Sequence, residues 1–253
     1  MVRLGQNFLA DPNLLDAIVR DAELGEGDVV LEVGAGEGVL TERLAAAAAH
    51  VHAVEIDRRL EPTLAALVGT NVSLHWEDAM DVDLAGLDPP PTAMVANLPY
   101  AVATPVIVRT VAELPSLRRW TVMVQREIAD RIRAASGNRT YAAPSATVQL
   151  ACEVWLLRTV DPAVFKPRPR VESAILGMRR TGPPPDEPTR ELIRAAFAHR
   201  RKSLARSLEH VRPGSLAEAR AALEAMGLPA DARAEALAPE DFVALSAKLR
   251  EGA

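Results

Sequence analysis

The 253-residue chain is 49% hydrophobic and 25% charged, with a net charge of −5 and one cysteine. This length buries a full core and predicts one large domain plus a small one; a lone cysteine rules out a disulfide framework or a cysteine zinc site, and five histidines without ligand spacing predict no metal. The N-terminal region carries Asp11 and Asp16 and no long apolar stretch, which argues against a signal peptide or membrane span and predicts a cytoplasmic protein.

In chain order, an amphipathic helix over residues 13–22 is placed to cover a pocket. Val29-Val30-Leu31-Glu32-Val33 reads as a buried parallel strand. It runs into Gly34-Ala35-Gly36-Glu37-Gly38, where glycines permit a sharp turn and close ligand approach beside a helix N-terminus. A second apolar stretch, 51–56, holds Glu55 twenty-one residues beyond Gly34, a spacing that suits a carboxylate binding both hydroxyls of a ribose. A dinucleotide is the rival ligand for such a turn. The third glycine falls one place too early for it, and the Gly-Lys-Ser/Thr ending of a triphosphate loop is absent. Acidic residues around the turn suit S-adenosylmethionine, a sulfonium cation without phosphate.

The next strand, 72–76, leads to Glu77-Asp78-Ala79-Met80, where Asp78 is either a loop cap or an adenine ligand. Met94-Val95-Ala96-Asn97-Leu98-Pro99-Tyr100 then ends a short apolar strand in an amide, a rigid turn and an aromatic ring. The exocyclic amine of a purine is a poor nucleophile. The Asn97 side-chain carbonyl and the Leu98 backbone carbonyl are suited to accept its two N–H bonds and hold it near a methyl donor, with Tyr100 stacking on the base. Met alone, the tetrapeptide also reads as a strand-ending turn with a packed tyrosine. In a doubly wound sheet ligands lie beyond the carboxyl ends of the strands, which puts Gly34, Glu55, Asp78 and Asn97 on one rim.

Strands and helices alternate to about residue 180, with a strand within 116–125, a helix over 126–135, a polar loop at 136–140, and strands over 152–160 and 172–179 as a terminal hairpin. Cys152, in an apolar run, reads as an inert buried thiol. Gly182-Pro183-Pro184-Pro185-Asp186 is a stiff linker, and helices are predicted over 189–209, 216–226 and 239–249. The expected division is 1–181 and 187–253.

Net charge has the wrong sign for a polyanion, but its distribution is uneven. Residues 1–90 hold 5 basic and 17 acidic side chains, whereas 164–212 hold 12 basic and 5 acidic. A positive surface is expected from Lys166, Arg168 and Arg170 through Arg200, Arg201, Lys202 and Arg206, with a solvated helix face as the bland alternative for the Arg200 cluster. Phe165, before a proline-stiffened basic loop, is either a platform for an unstacked base or a hydrophobic anchor of that loop; the platform is preferred.

Gly5-Gln6-Asn7-Phe8-Leu9, the glycine turn, Glu55-Ile56-Asp57, Glu77-Asp78-Ala79-Met80, Asn97-Leu98-Pro99-Tyr100, Phe165-Lys166-Pro167-Arg168-Pro169-Arg170-Val171-Glu172-Ser173-Ala174, Ala196-Phe197-Ala198-His199-Arg200-Arg201-Lys202-Ser203-Leu204 and Arg233-Ala234-Glu235-Ala236-Leu237 occur in this order. Over nearly its whole length the sequence resembles the KsgA (RsmA) family of small-subunit (16S) rRNA adenine N6,N6-dimethyltransferases. The resemblance implies a Rossmann-like, seven-stranded class I methyltransferase domain of the α/β class, with a small all-α C-terminal domain that binds RNA. It implies methyl transfer from S-adenosylmethionine to two adjacent adenines in the 3′-terminal hairpin loop of 16S rRNA, within the immature 30S subunit, by a monomer.

Carried over by resemblance, Gln6, Asn7, Leu9, Gly34, Gly36, Glu55, Ile56, Asp78, Ala79 and Asn97 contact the donor. Asn97, Leu98, Pro99 and Tyr100 form the catalytic set. Tyr100, Phe165, Lys166, Arg168, Arg170, Arg200, Arg201 and Lys202 bind the substrate. The chain departs from the family pattern at Ala101, where Asn is usual, and at Tyr141-Ala142-Ala143-Pro144-Ser145. Erm enzymes, which methylate one adenine of 23S rRNA, share most donor-site motifs, but Arg-Ala-Glu-x-Leu fits the small-subunit family better. A ribosome-assembly factor with secondary methylation, and a methyltransferase acting on DNA adenine or a protein amide nitrogen, remain as alternatives.

Overall fold

The computed structural model describes residues 8–9, 11–67, 69, 71–199 and 201–251. In chain order the elements are β1 (Phe8–Leu9), α1 (Pro12–Asp21), β2 (Val29–Val33), α2 (Val39–Ala47), β3 (His50–Val54), α3 (Glu61–Leu67), β4 (Val72–His75), β5 (Ala93–Asn97), α4 (Ala103–Glu113), β6 (Arg119–Gln125), α5 (Arg126–Ile132), α6 (Ala143–Gln149), β7 (Cys152–Val160), β8 (Phe165–Lys166), β9 (Ser173–Arg180), α7 (Glu187–Phe197), α8 (Leu204–Val211), α9 (Leu216–Ala225) and α10 (Pro239–Glu251).

Among the described residues, seven strands form one sheet in the order β4-β3-β2-β5-β6-β9-β7. β2 pairs in parallel with both β3 and β5, β3 with β4 and β5 with β6, whereas β9 runs antiparallel to β6. All five β2 residues are buried, including Glu32, as expected for a central strand covered on both faces. The chain winds from β2 toward β3 and β4 on one side, then returns through β5 to β6 on the other. The crevice beyond the carboxyl ends of β2 and β5 is therefore the switch point where such sheets bind ligands. β1 and β8 form a separate two-stranded pair, with Leu9 opposite Phe165.

Helix α1 starts where Asp11 accepts hydrogen bonds from the Asn13 and Leu14 amides at 2.9 and 3.3 Å, with Pro12 at its first position. Leu15, Ala17 and Ile18 are its buried residues, and Leu15 and Ile18 join a core with Val30, Leu44, Val51, Val95 and Phe165. Cys152 is buried, in agreement with an inert thiol.

The chain divides into two compact units, Met1–Ala129 with Glu153–Thr181 and Asp130–Cys152 with Gly182–Ala253. The second unit thus includes a stretch that the linear division at 181 leaves with the first. The reason is its core: Tyr141 and Ala146 pack with Ile193, Leu204, Leu223 and Phe242. Tyr141, Phe197 and Phe242 form a row of rings at successive centroid distances of 5.8 Å. Ser145 and Gln149 fasten the insert internally, through the carbonyls of Arg131, Ile132 and Ala134.

The single helix predicted over 189–209 is two helices. α7 ends at Phe197, the Lys202 amide turns back to the His199 carbonyl at 2.8 Å, and Ser203 caps α8. Helical periodicity continues on both sides of the break, so apolar spacing alone conceals it. The helix predicted over 126–135 ends at Ile132, and residues 143–149 are helical.

The Tyr141 hydroxyl is buried with no hydrogen-bond partner among the described residues, so it contributes desolvation cost without a bond. Tyr141→Phe is expected to leave stability unchanged or raise it by about 1 kcal/mol. Urea denaturation checks this: a lower midpoint at constant slope means the hydroxyl is satisfied.

Candidate active site at the switch point

Three glycines shape the turn after β2, Gly34, Gly36 and Gly38 having φ of 81°, 59° and 83°. The Gly34 and Ala35 amides both donate to the Val54 carbonyl, at 2.8 and 3.3 Å, which carries the β2–β3 ladder into the turn. A Cβ on Gly34 would stand 3.0 Å from Cδ and Cγ of Pro99. Both the backbone conformation and the contact demand glycine there.

Glu55 closes the turn from β3. Its Oε2 accepts the Gly36 N–H and its Oε1 the Asp57 N–H, each at 2.9 Å, and the residue is buried. Each carboxylate oxygen keeps a further lone pair, enough to accept the two hydroxyls of a ribose. Glu32, on β2, accepts the Thr41 hydroxyl at 2.6 Å. Burial pushes its carboxyl up to about 8; the Thr41 bond opposes the shift and the Glu55 charge adds to it.

From β5, the Leu98 amide donates to the Met123 carbonyl at 3.0 Å, and the Val102 amide to the Pro99 carbonyl at 3.1 Å as the chain turns into α4. Tyr100 is half-buried, its hydroxyl 2.6 Å from the Ser173 Oγ. From β4, Asp78 caps its own turn by accepting the Met80 amide at 2.9 Å.

These segments enclose a cavity of about 250 Å³. Leu9, Gly34, Gly36, Glu55, Ile56, Asp78, Ala79, Asn97, Leu98, Pro99 and Tyr100, all expected from sequence, line it. Asp78 both caps a turn and faces the cavity. Residues that sequence reasoning did not assign also contribute: Leu15, Val39 and Ala101 are on the wall, and Ser173 supports it through Tyr100; Glu32, one of the acidic residues expected around the turn, is on the wall too. A carboxylate inside an otherwise apolar strand, Val-Val-Leu-Glu-Val, was the signal for Glu32. Gln6, Asn7 and Arg200 lie outside the described residues.

Phe165 requires a correction. It is 3% exposed, pairs with Leu9 across β1 and β8, and packs in the core rather than on the cavity wall. Its ring anchors the loop and is not presented as a stacking platform. Prolines 167 and 169 follow it, and Lys166, Arg168 and Arg170 are exposed, Arg168 standing 3.7 Å from Asp161. Arg201 and Lys202 are exposed on the second unit, with Lys202 against the His210 ring.

A family profile described as "Ribosomal RNA adenine dimethylase" matches residues 2–251. The chain is 46% identical over 248 residues to a "Ribosomal RNA small subunit methyltransferase A" of Rubrobacter xylanophilus, covering 96% of this chain and 92% of that protein. It is 44% identical over 261 residues to a protein of the same name from Kineococcus radiotolerans, covering 99% and 86%. Among solved structures, a dimethyladenosine transferase from Plasmodium falciparum superposes with a TM-score of 0.78 at 25% identity, covering 96% of this chain and 98% of that one. The 23S rRNA methyltransferase ErmE gives 0.63 at 28% identity, covering 96% and 100%.

Glu32 provides a pH test. The folded state holds a proton that the unfolded chain releases above its ordinary 4.5, so this group lowers stability as pH rises from 4.5 to about 8 and no further beyond. Glu32→Gln keeps an acceptor for Thr41 and removes the titration. Its melting temperature relative to the parent is expected to climb between pH 5 and pH 9; a constant difference would show that Glu32 ionises normally.

Proposed function

The chain belongs to the ribosomal RNA adenine dimethylase family, and from that premise we propose that it transfers methyl groups from S-adenosylmethionine to the N6 atoms of two adjacent adenines in the 3′-terminal hairpin loop of 16S rRNA. The substrate is the immature 30S subunit, and the enzyme acts as a cytoplasmic monomer. One observation carries the reading: Pro99 of Asn97-Leu98-Pro99-Tyr100 packs on Gly34, so the amine-gripping turn and the donor turn share one cavity wall.

The residues present fit the donor. Glu37, Glu55, Glu77 and Asp78 all line the cavity, a set that favours a cation and opposes a phosphate-bearing cofactor. Glu55 would hold the ribose hydroxyls, Asp78 the adenine and Gly34 and Gly36 the close backbone approach. When bound, S-adenosylmethionine supplies an electrophilic methyl group whose departure leaves a neutral thioether.

The protein's task is to make an aromatic amine nucleophilic. The Asn97 side-chain carbonyl and the Leu98 backbone carbonyl accept the two N6–H bonds, draw the nitrogen lone pair out of conjugation and aim it along the line of attack. Tyr100 stacks on the extruded base, replacing stacking lost from the RNA loop. The nitrogen becomes cationic as its bond to carbon forms, so its proton leaves to water afterwards and no strong general base is needed. Monomethyladenine returns for the second transfer with one N–H left to grip. Lys166, Arg168 and Arg170, and Arg201 and Lys202 in the helical unit, bind rRNA phosphates.

Labelled methyl transfer to unmethylated small subunits, unmethylated large subunits and duplex DNA in parallel tests this, with the product nucleoside identified by mass spectrometry. Dimethyladenine on the small subunit alone is expected. Label on the large subunit supports an Erm-type activity, label on DNA a DNA methyltransferase, and tight small-subunit binding without transfer an assembly factor.

Two variants separate the roles. Glu55→Ala is expected to weaken donor binding about tenfold or more by calorimetry, the scale of charge-assisted hydrogen bonds. Tyr100→Ala should slow transfer while donor affinity stays near normal, and loss of donor binding in that variant would contradict its assignment to the base.

A further inference from the structure

The antiparallel strand at one side of the sheet has a consequence for the base site. In β2, β3, β4, β5 and β6 the carboxyl ends face the crevice; β9 runs the other way against β6, so its first residue reaches that same rim. The register makes the adjacency explicit. Asn97 of β5 lies opposite Met123 of β6, and two residues further along β6, Gln125 lies opposite Ser173, the first residue of β9. Ser173 is fully buried and its Oγ stands 2.6 Å from the Tyr100 hydroxyl.

We propose that Ser173 is a positioning residue for methyl transfer, fixing the Tyr100 ring at the orientation in which it receives the target adenine; this rests on the function proposed above. A tyrosine on a cavity wall turns about two side-chain bonds, and packing on its backbone restrains neither fully. A hydroxyl bond to a strand residue holds the far end of the ring. Ser173 is a firm point of attachment: it has the lowest exposure possible, it is set in the β6–β9 ladder, and the Arg126 amide bonds to the neighbouring Glu172 carbonyl at 2.9 Å. The ring is thus oriented before the base arrives, and the cost of ordering it is met on folding rather than on binding. This also gives a reason for the serine at the end of Phe165-Lys166-Pro167-Arg168-Pro169-Arg170-Val171-Glu172-Ser173, a segment far from Tyr100 in sequence.

The test compares Tyr100→Phe, Ser173→Ala and the double variant. Single-turnover transfer to unmethylated small subunits is expected to slow about fivefold to tenfold in each single variant, the scale of one neutral hydrogen bond. The double variant should be no slower than the singles, because both changes remove the same bond. Donor affinity by calorimetry should stay within about twofold of the parent, since neither hydroxyl is assigned to the donor site. Independent rate losses that multiply in the double variant overturn the proposal.

A second readout needs no activity. Tyr100 and Tyr141 are the two tyrosines of the chain, so 3-fluorotyrosine labelling gives two fluorine resonances, with Tyr141→Phe assigning them. Ser173→Ala should move the Tyr100 signal and leave the Tyr141 signal in place; an unmoved Tyr100 signal overturns the pairing. If the parent protein fails to methylate small subunits, the function proposed above fails, while the fluorine experiment still decides whether Ser173 orients Tyr100. Should Ser173→Ala not fold, Tyr100→Phe removes the same bond from the half-buried partner and keeps the rate comparison.

Discussion

Gly34 takes a φ of 81° at the end of the central strand, and the space where its side chain would stand is filled by the Pro99 ring at 3.0 Å. That close approach follows from topology. β2 and β5 are parallel neighbours at the switch point, so the turns after them leave the sheet side by side. A side chain on Gly34 would drive the two turns apart, and the cavity between them would lose its shared wall. The Glu55 bond to Gly36 and the Leu98 bond to Met123 fix the two turns from opposite sides of this contact.

The carboxyl groups of the cavity differ in how the fold treats them. Glu55 accepts two backbone N–H groups, which satisfy charge on both of its oxygens. Glu32 sits one strand inward and is offered one hydroxyl, so burial keeps its proton on at neutral pH. The pocket therefore has an acidic wall without the full repulsion of closely packed carboxylates. A neutral Glu32 also costs the central strand less than an unpaired buried charge would.

Much of the site was legible because its signals are local. Continuous apolar runs such as Val29–Val33 mark strands buried on both faces, and each ends in residues whose chemistry is unusual for a core: Glu-Val-Gly-Ala-Gly, Glu-Ile-Asp and Asn-Leu-Pro-Tyr. Once the strands are parallel, those ends must gather on one rim. What stayed hidden depends on distant partners. The β1–β8 pair is two residues long on each side, too short for a period, and Phe165 is buried through it. The Ser173 bond to Tyr100 spans 73 residues and exists only because β9 is antiparallel. The insert at 130–152 joins the helical unit through Tyr141 and Ala146, whose destination no local pattern encodes.

Charge shows the same distinction between formal and available. The basic stretch 164–212 carries 12 cationic side chains, yet several are spent within the fold. Arg180 donates to the carbonyls of Val111, Leu114 and Leu117; Arg179 pairs with Glu153, Arg190 and Arg194 with Glu187, and Arg212 lies near Glu218. Lys166, Arg168, Arg170, Arg201, Lys202 and Arg206 are exposed among the described residues and are prominent for a polyanion. At physiological salt the field of an exposed charge fades over about 8 Å, so an acidic cavity and basic surface segments act locally rather than as one average. A net charge of −5 is then no obstacle to RNA binding: the acidic excess of residues 1–90 includes Glu37, Glu55, Glu77 and Asp78 on the cavity wall, where a cation is wanted. A donor that is positive and an acceptor strand that is negative require opposite potentials on one chain, and segregating the two is how a near-neutral sum serves both.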